Sequence, residues 1–399
     1  MFCKHDVASP SLASGSVITK RVLVLTDHMP WGHRSIARAI YGYLKTQEKG
    51  NNFKVDYVEV KSELGLSNEF YTFMYRYIPV SNRIGMWWLR KEKSQESLKE
   101  FFKKNYWGVE RALRKYKPDL VISAYLFHTS SILMMDKNRK YKLWSIVADP
   151  WSVNPISYSR DNDLQLVYDE VGVGEGVRMG IKKEKMLATG WWVRPEMNDR
   201  KLQSSDFRLQ MRKKLGFNDD RPVVFVGGGS LGTSSLALLL PALMVVKKPV
   251  GVIFNSGTDK LSFNMVEEYA RLLKTVRRDG LVQIKNLGWI ENMAEVLAAS
   301  DIVFGKAGPN FMFDVVASQK PFVSITHIGG QEDGNIEIIK KKKLGWVKEG
   351  PGQAVGFFLE YVNDPKKYEQ KYAESIREEA ERNKKSMGII LERLKEELK

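Results

Sequence analysis

The chain of 399 residues is 43% hydrophobic and 28% charged, which is ordinary for a globular protein and leaves room for two domains that each bury a core. Its longest apolar runs, such as Leu236 to Val246, are shorter than the roughly 20 residues of a membrane-spanning helix, and we expect no signal peptide because no basic flank with an apolar core opens the sequence. The net charge of +16 favours an anionic partner, and we expect a membrane surface and no nucleic acid, because no nucleic-acid recognition motif accompanies the charge.

Residues 1–19 predict a flexible N-terminal tail. They contain Cys3, the single cysteine of the sequence, so no internal disulfide can form. This cysteine usage fits the cytosol, and we expect a cytoplasmic protein.

Apolar strands alternate with helical patterns along the rest of the chain, which is typical of parallel α/β domains. A polar stretch from Arg194 to Arg221, with a short helix from Ser205 to Leu215, separates two series of strands. We predict Rossmann-like domains over residues 20–195 and 196–365, with a cleft between them, and one or two surface helices over 366–399. The predicted strands are Arg21–Thr26, Lys54–Val60, Asp119–Ala124, Leu143–Ala148, Leu164–Tyr168, Val223–Val226, Val250–Asn255, Val282–Asn286, Ile302–Phe304 and Phe322–Ile325.

Two predicted loops of the first domain place titratable side chains at strand ends. The first strand runs into Asp27 and His28 and then reaches Gly32 and His33, where a helix is predicted to begin. Histidine changes its charge near neutral pH and can accept or donate a proton. The fourth strand ends at Asp149, which suits proton transfer or ligand binding, and a plain cap or turn role remains open.

Residues 70–90 combine aromatic rings with arginines, and Pro79 interrupts any long helix. Rings at headgroup level beside cations suit a segment that lies in a membrane interface. An ordinary aromatic core element under a loop is the alternative. The side chains of the predicted interfacial segment are Phe70, Tyr71, Phe73, Arg76, Arg83, Trp87, Trp88 and Arg90.

A glycine-rich turn, residues 227–232, follows a strand and opens a predicted helix. Its spacing fits a dinucleotide-binding motif, but that motif requires an acid at the end of the next strand, and residues 254–257 (FNSG) contain none. We therefore disfavour a dehydrogenase. Small residues and the helix dipole still favour a bound phosphate; a tight turn without a ligand is the alternative.

The most informative stretch runs from Gly305 to Asn335. A short apolar run ends in residues 305–309 (GKAGP), an amphipathic segment and a second strand follow, and residues 330–335 (GQEDGN) close a polar loop. Pro309 fits the first turn of a helix, where its missing N–H would be unpaired in any case. Ligands collect at the carboxyl ends of parallel strands, where both polar clusters fall.

These residues resemble the nucleotide-sugar half of monogalactosyldiacylglycerol synthases. Related signatures occur in diacylglycerol glucosyltransferases and in the peptidoglycan N-acetylglucosaminyltransferase of glycosyltransferase family 28. The resemblance implies an α/β fold of the GT-B type, two doubly wound Rossmann-like domains facing across a cleft, in which the last helix often crosses back to the first domain. It also implies an inverting enzyme with a UDP-sugar donor and a lipid-linked acceptor. The sequence departs from the family pattern at Asn310, where Gly is usual, and at Asp314, where Glu is usual.

The resemblance assigns the UDP-sugar to the second domain. Asp314 matches the carboxylate that binds the ribose hydroxyls, Lys306 would neutralise charge on the leaving UDP, and the backbone of residues 288–290 would hold the uracil. The Trp289 side chain suits a core position as well as a stacking platform. The implied donor-binding residues are Gly228, Gly229, Ser230 and Gly232 at the diphosphate, together with Gly288, Trp289, Ile290, Lys306, Gly308, Pro309, Asp314, Gln331, Glu332 and Asn335.

Residues 27–33 resemble the family's glycine-rich turn that ends in Gly-His, although Met29, Pro30 and Trp31 replace most of its glycines. Transfer with inversion needs a base for the proton of the acceptor hydroxyl. We expect His33 to be this base; acceptor or phosphate binding and a plain helix-start role remain alternatives. Asp27 would orient His33, Gly32 would lie beside the acceptor, and His28 and Asp149 are the alternative bases.

Two further motifs are interpreted as structural. Residues 190–195 (GWWVRP) match the family's hinge region, with Trp192 in place of a proline. Asp161, Asn162 and Asp163 are similar to a metal-binding Asp-x-Asp motif of a different glycosyltransferase fold, but they precede a strand and no histidine lies nearby in the sequence. We predict a turn there, and we expect no required metal or cofactor.

Together these features predict a peripheral membrane enzyme that moves a hexose from a UDP-sugar to a lipid, with diacylglycerol as the expected acceptor. One alternative is a UDP-N-acetylglucosamine transferase acting on a polyprenyl-diphosphate-linked glycan, which residues 228–232 (GGSLG) favour. A non-catalytic nucleotide-sugar-binding membrane scaffold is another. Nothing in Gln331 or Glu332 distinguishes glucose, galactose and N-acetylglucosamine.

Overall fold

The described part of the chain folds into two β-sheets of six strands each. The computed structural model describes residues 19–29, 32–61, 99–152, 155–227 and 234–399. The strands are β1 (Lys20–Asp27), β2 (Phe53–Val60), β3 (Leu120–Ser123), β4 (Lys142–Ile146), β5 (Leu164–Val167), β6 (Met186–Ala188), β7 (Val223–Gly227), β8 (Val250–Asn255), β9 (Val282–Leu287), β10 (Ile302–Lys306), β11 (Phe322–Thr326) and β12 (Gly345–Val347).

Every pairing between these strands is parallel. The first sheet has the order β2-β1-β3-β4-β5-β6 and the second has the order β12-β11-β10-β7-β8-β9. The winding direction reverses between β1 and β3 in the first sheet and between β7 and β10 in the second. Such reversal points open a crevice at the carboxyl ends of the strands, where open α/β sheets bind their ligands.

The strands form where the sequence is continuously apolar, as expected for parallel sheets that are covered on both faces. In β1, for example, the side chains from Val22 to Leu25 are at most 1% exposed. All ten predicted strands are present, with ends within two residues of the prediction. The edge strands β6 and β12 were not predicted, because three residues are too few for a pattern of apolar side chains to be recognised in the sequence.

Helices connect the strands, and three of them end the chain. The prediction of one or two C-terminal surface helices is wrong: three short helices follow residue 364, and Ile376, Ala380, Ile390 and Leu394 on them are buried. The helices are α1 (Gly32–Thr46), α2 (Lys99–Tyr116), α3 (Leu126–Met135), α4 (Glu170–Arg178), α5 (Ser205–Leu215), α6 (Ser234–Ala237), α7 (Leu240–Val245), α8 (Lys260–Val276), α9 (Met293–Ala299), α10 (Pro309–Ala317), α11 (Asp333–Lys341), α12 (Pro351–Asn363), α13 (Pro365–Lys371), α14 (Ala373–Lys384) and α15 (Ser386–Glu397).

One cluster of buried apolar side chains extends from the first sheet to the second. At its centre lie Tyr168, Trp191, Trp192 and Phe313, which we call the hinge cluster. The Trp191 ring is 1% exposed and stacks on Phe313 of α10, with the ring centroids 4.9 Å apart. The connection between the sheets is therefore packed directly onto a helix of the second sheet.

The C-terminal helices contact the first sheet. The Tyr168 hydroxyl donates a hydrogen bond to Glu379 of α14 at 2.6 Å, and the backbone N–H of Trp191 donates to Oδ1 of Asn383 at 2.8 Å. Lys142 at the start of β4 lies 3.4 Å from Glu397 of α15. These contacts hold the C-terminal helices against the first sheet; the domain limits given above stay predictions.

Three predicted segments lie outside the described residues. They are the N-terminal tail up to residue 18, the interfacial segment of residues 70–90 and the diphosphate loop of residues 228–232. In the described part of the chain, none of the helices has the length and apolar character needed to cross a bilayer.

Candidate active site

Polar side chains from both sheets meet at the carboxyl ends of the strands. Asp27 ends β1 and Asp149 follows β4 in the first sheet, while Lys306 ends β10 and Gln331 follows β11 in the second. The structure therefore brings the two halves of the predicted site to one cleft.

Asp149 and Gln331 form a hydrogen bond across this cleft. The Gln331 amide Nε2 donates to Oδ1 of Asp149 at 3.2 Å. Burial raises the pKa of Asp149 to about 6; the hydrogen bond from Gln331 opposes this rise, the negative charge of Glu332 adds to it, and Lys306 opposes it. Asp149 is thus a carboxyl group that titrates close to neutral pH, as a general acid or base should.

The loop that carries Asp149 contacts the second sheet. Trp151 has a left-handed backbone, with φ of 57°, and its indole N–H donates to Asp169 at 2.9 Å. A bulky residue rarely adopts this conformation unless its surroundings impose it. The backbone N–H of Gly334 in α11 donates to Oγ of Ser152 at 2.8 Å, and a Cβ at position 334 would overlap the backbone of Pro150. Glycine is required at position 334 because two backbones touch there.

His33 lies in the first turn of α1, beside the first sheet. Its ring packs edge-on against Tyr125, with the ring centroids 5.4 Å apart. Burial lowers the pKa of His33, while a hydrogen bond to the Ala124 backbone and the charge of Asp27 oppose this. Within the described ranges, its Nδ1 has no hydrogen-bond partner. A neutral imidazole bound through one nitrogen offers the other as a proton acceptor.

A second buried histidine, His128, adjoins this cluster and was not predicted. Its Nε2 lies 3.2 Å from the carbonyl of Val60 and 3.9 Å from the Asp27 carboxylate. Burial lowers the pKa of His128 to about 4, so the ring is neutral near pH 7 and donates Nε2–H to Val60. The sequence did contain a signal, since His128 follows β3 by five residues, but the adjacency of β3 and β1 becomes evident only with the sheet order.

Asp27 is buried among the imidazoles. Its side chain accepts a hydrogen bond from the Met29 backbone at 2.7 Å, and the His28 ring lies 3.4 Å away. The negative charge of Asp27 partly opposes the lowering of the pKa that burial causes in both His33 and His128. An orienting role toward His33 stays a prediction.

The two polar loops of the second sheet brace each other. Lys306 donates to one carboxylate oxygen of Glu332, and the backbone N–H of Ile328 donates to the other at 2.7 Å. The Asn335 amide donates to the Ala307 carbonyl at 2.7 Å. Both carboxylate oxygens of Glu332 therefore accept hydrogen bonds from protein groups in this arrangement. To bind a sugar hydroxyl as predicted, the oxygen that pairs with Lys306 must accept a second hydrogen bond.

Asp314, the predicted ribose ligand, forms an ion pair with Arg194. Arg194 Nη2 donates to Oδ2 of Asp314 at 2.7 Å. Burial raises the pKa of Asp314, and the Arg194 charge opposes this rise. Arg194 belongs to residues 190–195, the predicted hinge, and is the part of this hinge that reaches the candidate site. Ribose binding by Asp314 stays a prediction.

The predicted uracil segment lies at the end of β9. The Gly288 carbonyl accepts a hydrogen bond from Asn255 at 3.0 Å. The Trp289 side chain is 73% exposed, so the core alternative for this residue is wrong and the stacking alternative remains.

Asp161, Asn162 and Asp163 lie in a turn before β5, as predicted. The Asp163 carboxylate accepts from the Leu143 backbone at 2.8 Å, and the Asn162 amide donates to Ser145 at 2.7 Å. These bonds tie the turn to β4. Among the residues that the structure describes, no group of three His, Cys, Asp or Glu side chains could hold a metal ion; metal independence stays a prediction.

The strands of the second sheet coincide with a known domain. Residues 223–348, from β7 to β12, match the model of the glycosyltransferase family 28 C-terminal domain. This part of the chain is therefore similar to the C-terminal domain of glycosyltransferase family 28. The predicted resemblance to this family is thus confirmed, and Lys306, Asp314, Gln331, Glu332 and Asn335 all lie within the matched residues.

Curated relatives extend the similarity into the first sheet. The chain is 23% identical over 358 residues to a probable monogalactosyldiacylglycerol synthase, chloroplastic, from Nicotiana tabacum, covering 83% of this chain and 62% of the tobacco protein. It is 25% identical over 255 residues to the UDP-N-acetylglucosamine–N-acetylmuramyl-(pentapeptide) pyrophosphoryl-undecaprenol N-acetylglucosamine transferase of Staphylococcus carnosus, covering 63% of this chain and 62% of that protein. The chain thus spans less than two thirds of the length of either relative.

Solved structures share the fold over nearly the whole chain. Acinetobacter baumannii MurG aligns with a TM-score of 0.58 at 14% identity, and HepE from Anabaena, in complex with UDP and glucose, aligns with 0.55 at 13%. UDP-GlcNAc 2-epimerase from Neisseria meningitidis aligns with 0.60 at 13%. Each alignment covers 94% of this chain and 99% of the other chain. The predicted GT-B fold is confirmed. An epimerase among the neighbours means that the fold does not decide the chemistry.

We expect Asp314→Ala to weaken UDP binding by about tenfold or more, because two hydrogen bonds to the ribose are lost. Isothermal titration calorimetry at pH 8 measures this. Arg194→Met is the matched control, since it removes the ion pair and leaves the carboxylate; it should retain UDP affinity within about threefold. Equal losses in both variants would assign the effect to the ion pair, and full affinity in Asp314→Ala would remove the ribose role.

Asp149→Asn should stabilise the protein at pH 8. The folded-state pKa of about 6 lies above the ordinary value, so the native state favours the neutral carboxyl, and that contribution is lost as the pH rises through 6. The asparagine keeps the Gln331 hydrogen bond and removes the buried charge. We expect a gain of roughly 2 kcal/mol in the free energy of unfolding at pH 8, vanishing by about pH 4, in urea titrations. A pH-independent difference would contradict the raised pKa.

Proposed function

We propose that this chain is an inverting glycosyltransferase that moves a hexose from a UDP-sugar to a membrane lipid, with diacylglycerol as the acceptor. The observation that carries the proposal is the 3.2 Å contact between Asp149 and Gln331. It joins the polar motif of the family 28 domain to a group of the first sheet that titrates near neutral pH. The tobacco relative, by its printed name a galactolipid synthase, supports the lipid acceptor.

Inversion requires one displacement at the anomeric carbon. The acceptor hydroxyl oxygen forms its bond to this carbon on the face opposite the diphosphate, while the bond to the phosphate oxygen breaks. His33 accepts the hydroxyl proton, and UDP leaves with the electron pair. The Lys306 ammonium and the N-terminus of α10 lie at the carboxyl end of β10, where they would stabilise the diphosphate charge that develops.

His33 and Asp149 divide the proton chemistry in this proposal. A base must be deprotonated before attack, and burial lowers the pKa of His33 below its ordinary 6.5, which keeps the ring neutral at pH 7. Asp149 would hold the acceptor hydroxyl or a sugar hydroxyl beside Gln331. With Asp149 as base, transfer is lost as the pH falls below about 6, and with His33 as base it is lost at a pH below the ordinary 6.5 of histidine. Both profiles fall on the acid side, so variants and not the pH profile distinguish the two groups.

Helix α2 supplies a surface for an anionic membrane. Its exposed side spans an arc of about 120°, and Trp107 within this arc is 56% exposed. Basic side chains beside an interfacial tryptophan bind anionic lipid headgroups. The helix directly follows the segment that contains residues 70–90. The exposed residues of the arc, which we call the basic face of α2, are Glu100, Lys103, Lys104, Trp107, Arg111, Arg114 and Lys115, of which five are basic and one is acidic.

A second acceptor is favoured by one relative. The Staphylococcus carnosus protein, by its name, transfers N-acetylglucosamine to N-acetylmuramyl-(pentapeptide) pyrophosphoryl-undecaprenol. Both acceptors are lipids at a membrane surface, so the same face of the first sheet would serve either one. The donor identifies the reaction: N-acetylglucosamine would point to the polyprenyl-linked acceptor.

The first test is transfer from labelled UDP-glucose, UDP-galactose and UDP-N-acetylglucosamine into anionic liposomes that contain diacylglycerol, with products resolved by lipid chromatography. We expect a labelled glycolipid from one hexose donor. His33→Ala should lower kcat by about 10²–10⁴-fold with UDP affinity unchanged, and Asp149→Asn should lower it less.

Three results would overturn parts of this proposal. If His33→Ala turns over near-normally and Asp149→Asn does not, Asp149 is the base. If no donor yields product while UDP binds, a polyprenyl-linked acceptor is tested next and a silent scaffold after it. Loss of activity with a chelator and its return with manganese would contradict metal independence.

Membrane docking through the basic face of α2 has a separate test. Flotation with liposomes containing anionic lipid should fall more than tenfold in Lys103→Glu/Arg111→Glu, since each basic residue contributes about 1 kcal/mol near such a surface. Trp107→Ala should also weaken flotation, and Trp289→Ala, which removes an exposed ring of the second sheet, is the matched control. Flotation that survives these changes but is lost in Trp87→Ala/Trp88→Ala would move the docking surface to residues 70–90.

A further inference from the structure

One side chain, Asn310, connects three separate parts of the molecule. It lies in the first turn of α10, where the family pattern has glycine. Its Oδ1 accepts a hydrogen bond from the indole N–H of Trp191 at 3.1 Å. Its Nδ2 donates to the carbonyl of Gly32, at the start of α1, at 2.9 Å. The second sheet, the hinge cluster and the helix that carries His33 therefore meet on a single amide.

The contact with Trp191 satisfies a buried indole. Trp191 is 1% exposed, and a buried indole N–H without a partner costs roughly 1–3 kcal/mol. A glycine at position 310 could not supply the acceptor. The Gly32 carbonyl can only accept a hydrogen bond, so it selects Nδ2 by itself, and the Gly32 arm does not depend on the indole.

The contact with Gly32 requires the two chains to lie close together. A Cβ at position 32 would lie 3.0 Å from Nδ2 of Asn310, which is tighter than ordinary packing. The Gly32 carbonyl belongs to the peptide group that joins Gly32 to His33. The hydrogen bond from Asn310 therefore acts on the peptide plane directly before the proposed base.

We propose that Asn310 is a positioning residue that sets the place of His33 relative to the bound donor. This inference rests on the proposed function of His33. Asp314, four residues after Asn310, lies on the same face of α10 as Asn310, so one helix face holds the ribose side of the donor and the start of α1. The distance between the base and the sugar is then fixed by α10 itself. With glycine at position 310, no side chain at this position would hold the start of α1, and the loop before α1 would set the distance between the base and the sugar.

The two arms of Asn310 can be separated with three variants. Asn310→Ala removes both hydrogen bonds, whereas Trp191→Phe removes the indole N–H and keeps the Gly32 arm. In the double variant no indole is left without a partner. If the Gly32 arm positions His33, Asn310→Ala and the double variant lose about 10–100-fold in kcat, with the UDP dissociation constant within about threefold of wild type. Trp191→Phe should stay within about threefold of wild-type kcat, and thermal melts confirm that each variant folds.

A second measurement does not depend on turnover. The ¹³Cε1 resonance of His33, identified by its absence in His33→Ala, is titrated in each variant. Burial lowers the pKa of His33, so release of the first turn of α1 should raise it toward 6.5 in Asn310→Ala and in the double variant. Trp191→Phe should leave it unchanged. A residue that merely stabilises the hinge would not move this pKa.

The outcomes separate this inference from the proposed function. If wild type transfers no sugar but Asn310→Ala raises the pKa of His33, the proposed function fails and the positioning contact stands. If wild type is active and Asn310→Ala matches it in kcat and in the pKa of His33, the inference is overturned. Recovery of wild-type kcat in the double variant would also overturn it, because the loss in Asn310→Ala would then arise from the unpaired indole.

Discussion

The packing of Trp191 on Phe313 is the contact on which the site depends. It places the connection between the sheets on α10, with the ring centroids 4.9 Å apart. Arg194, three residues after Trp191, then meets Asp314, the residue next to Phe313. Asn310, three residues before Phe313, meets the Trp191 indole. On α10, Asn310 lies three residues before Phe313 and four before Asp314, and positions three and four apart share one helix face. The stacked ring pair therefore brings the connection between the sheets to the part of α10 that makes both polar contacts.

The two sides of the molecule are joined by contacts of different strength. On the hinge side, buried aromatic rings and the C-terminal helices form a continuous apolar cluster, and such a cluster does not separate without unfolding. On the cleft side, the contacts are hydrogen bonds, from Gln331 to Asp149 and from Gly334 to Ser152. A typical hydrogen bond adds only about 1 kcal/mol net. This distribution suits a cleft that opens for substrates while the hinge persists.

Much of the fold was predictable because parallel strands covered on both faces are continuously apolar. The donor loops were predictable because glycine, proline and carboxylate positions follow one another within residues 305–335. The sequence alone does not show which residues from distant parts of the chain lie close together in the fold. His128 adjoins Asp27 because β3 is the neighbour of β1, and Arg194 meets Asp314 because the hinge cluster folds back on α10. Both contacts join residues that are about 100 or more positions apart.

The C-terminal helices illustrate a different limit. Their sequence is rich in lysine and glutamate, which favours an exposed surface, yet Ile376, Ile390 and Leu394 are at most 1% exposed. Apolar residues spaced along short helices bury a narrow stripe while the charged majority stays in solvent. Composition averages over both faces and therefore hides the stripe.

At Gly334, the backbone of α11 touches the backbone of the Asp149 loop, so this glycine sets how closely the two sides of the cleft can approach. Because the Pro150–Ser152 backbone leaves no room for even one methyl group there, each added carbon at position 334 must move the two sheets apart at that point, while the hinge cluster holds them together elsewhere. A series of increasingly large side chains at position 334 would widen the separation between α11 and the Asp149 loop step by step. The separation between α11 and the Asp149 loop is thus a distance that one residue controls, because glycine has only a hydrogen atom where any other residue has a side chain.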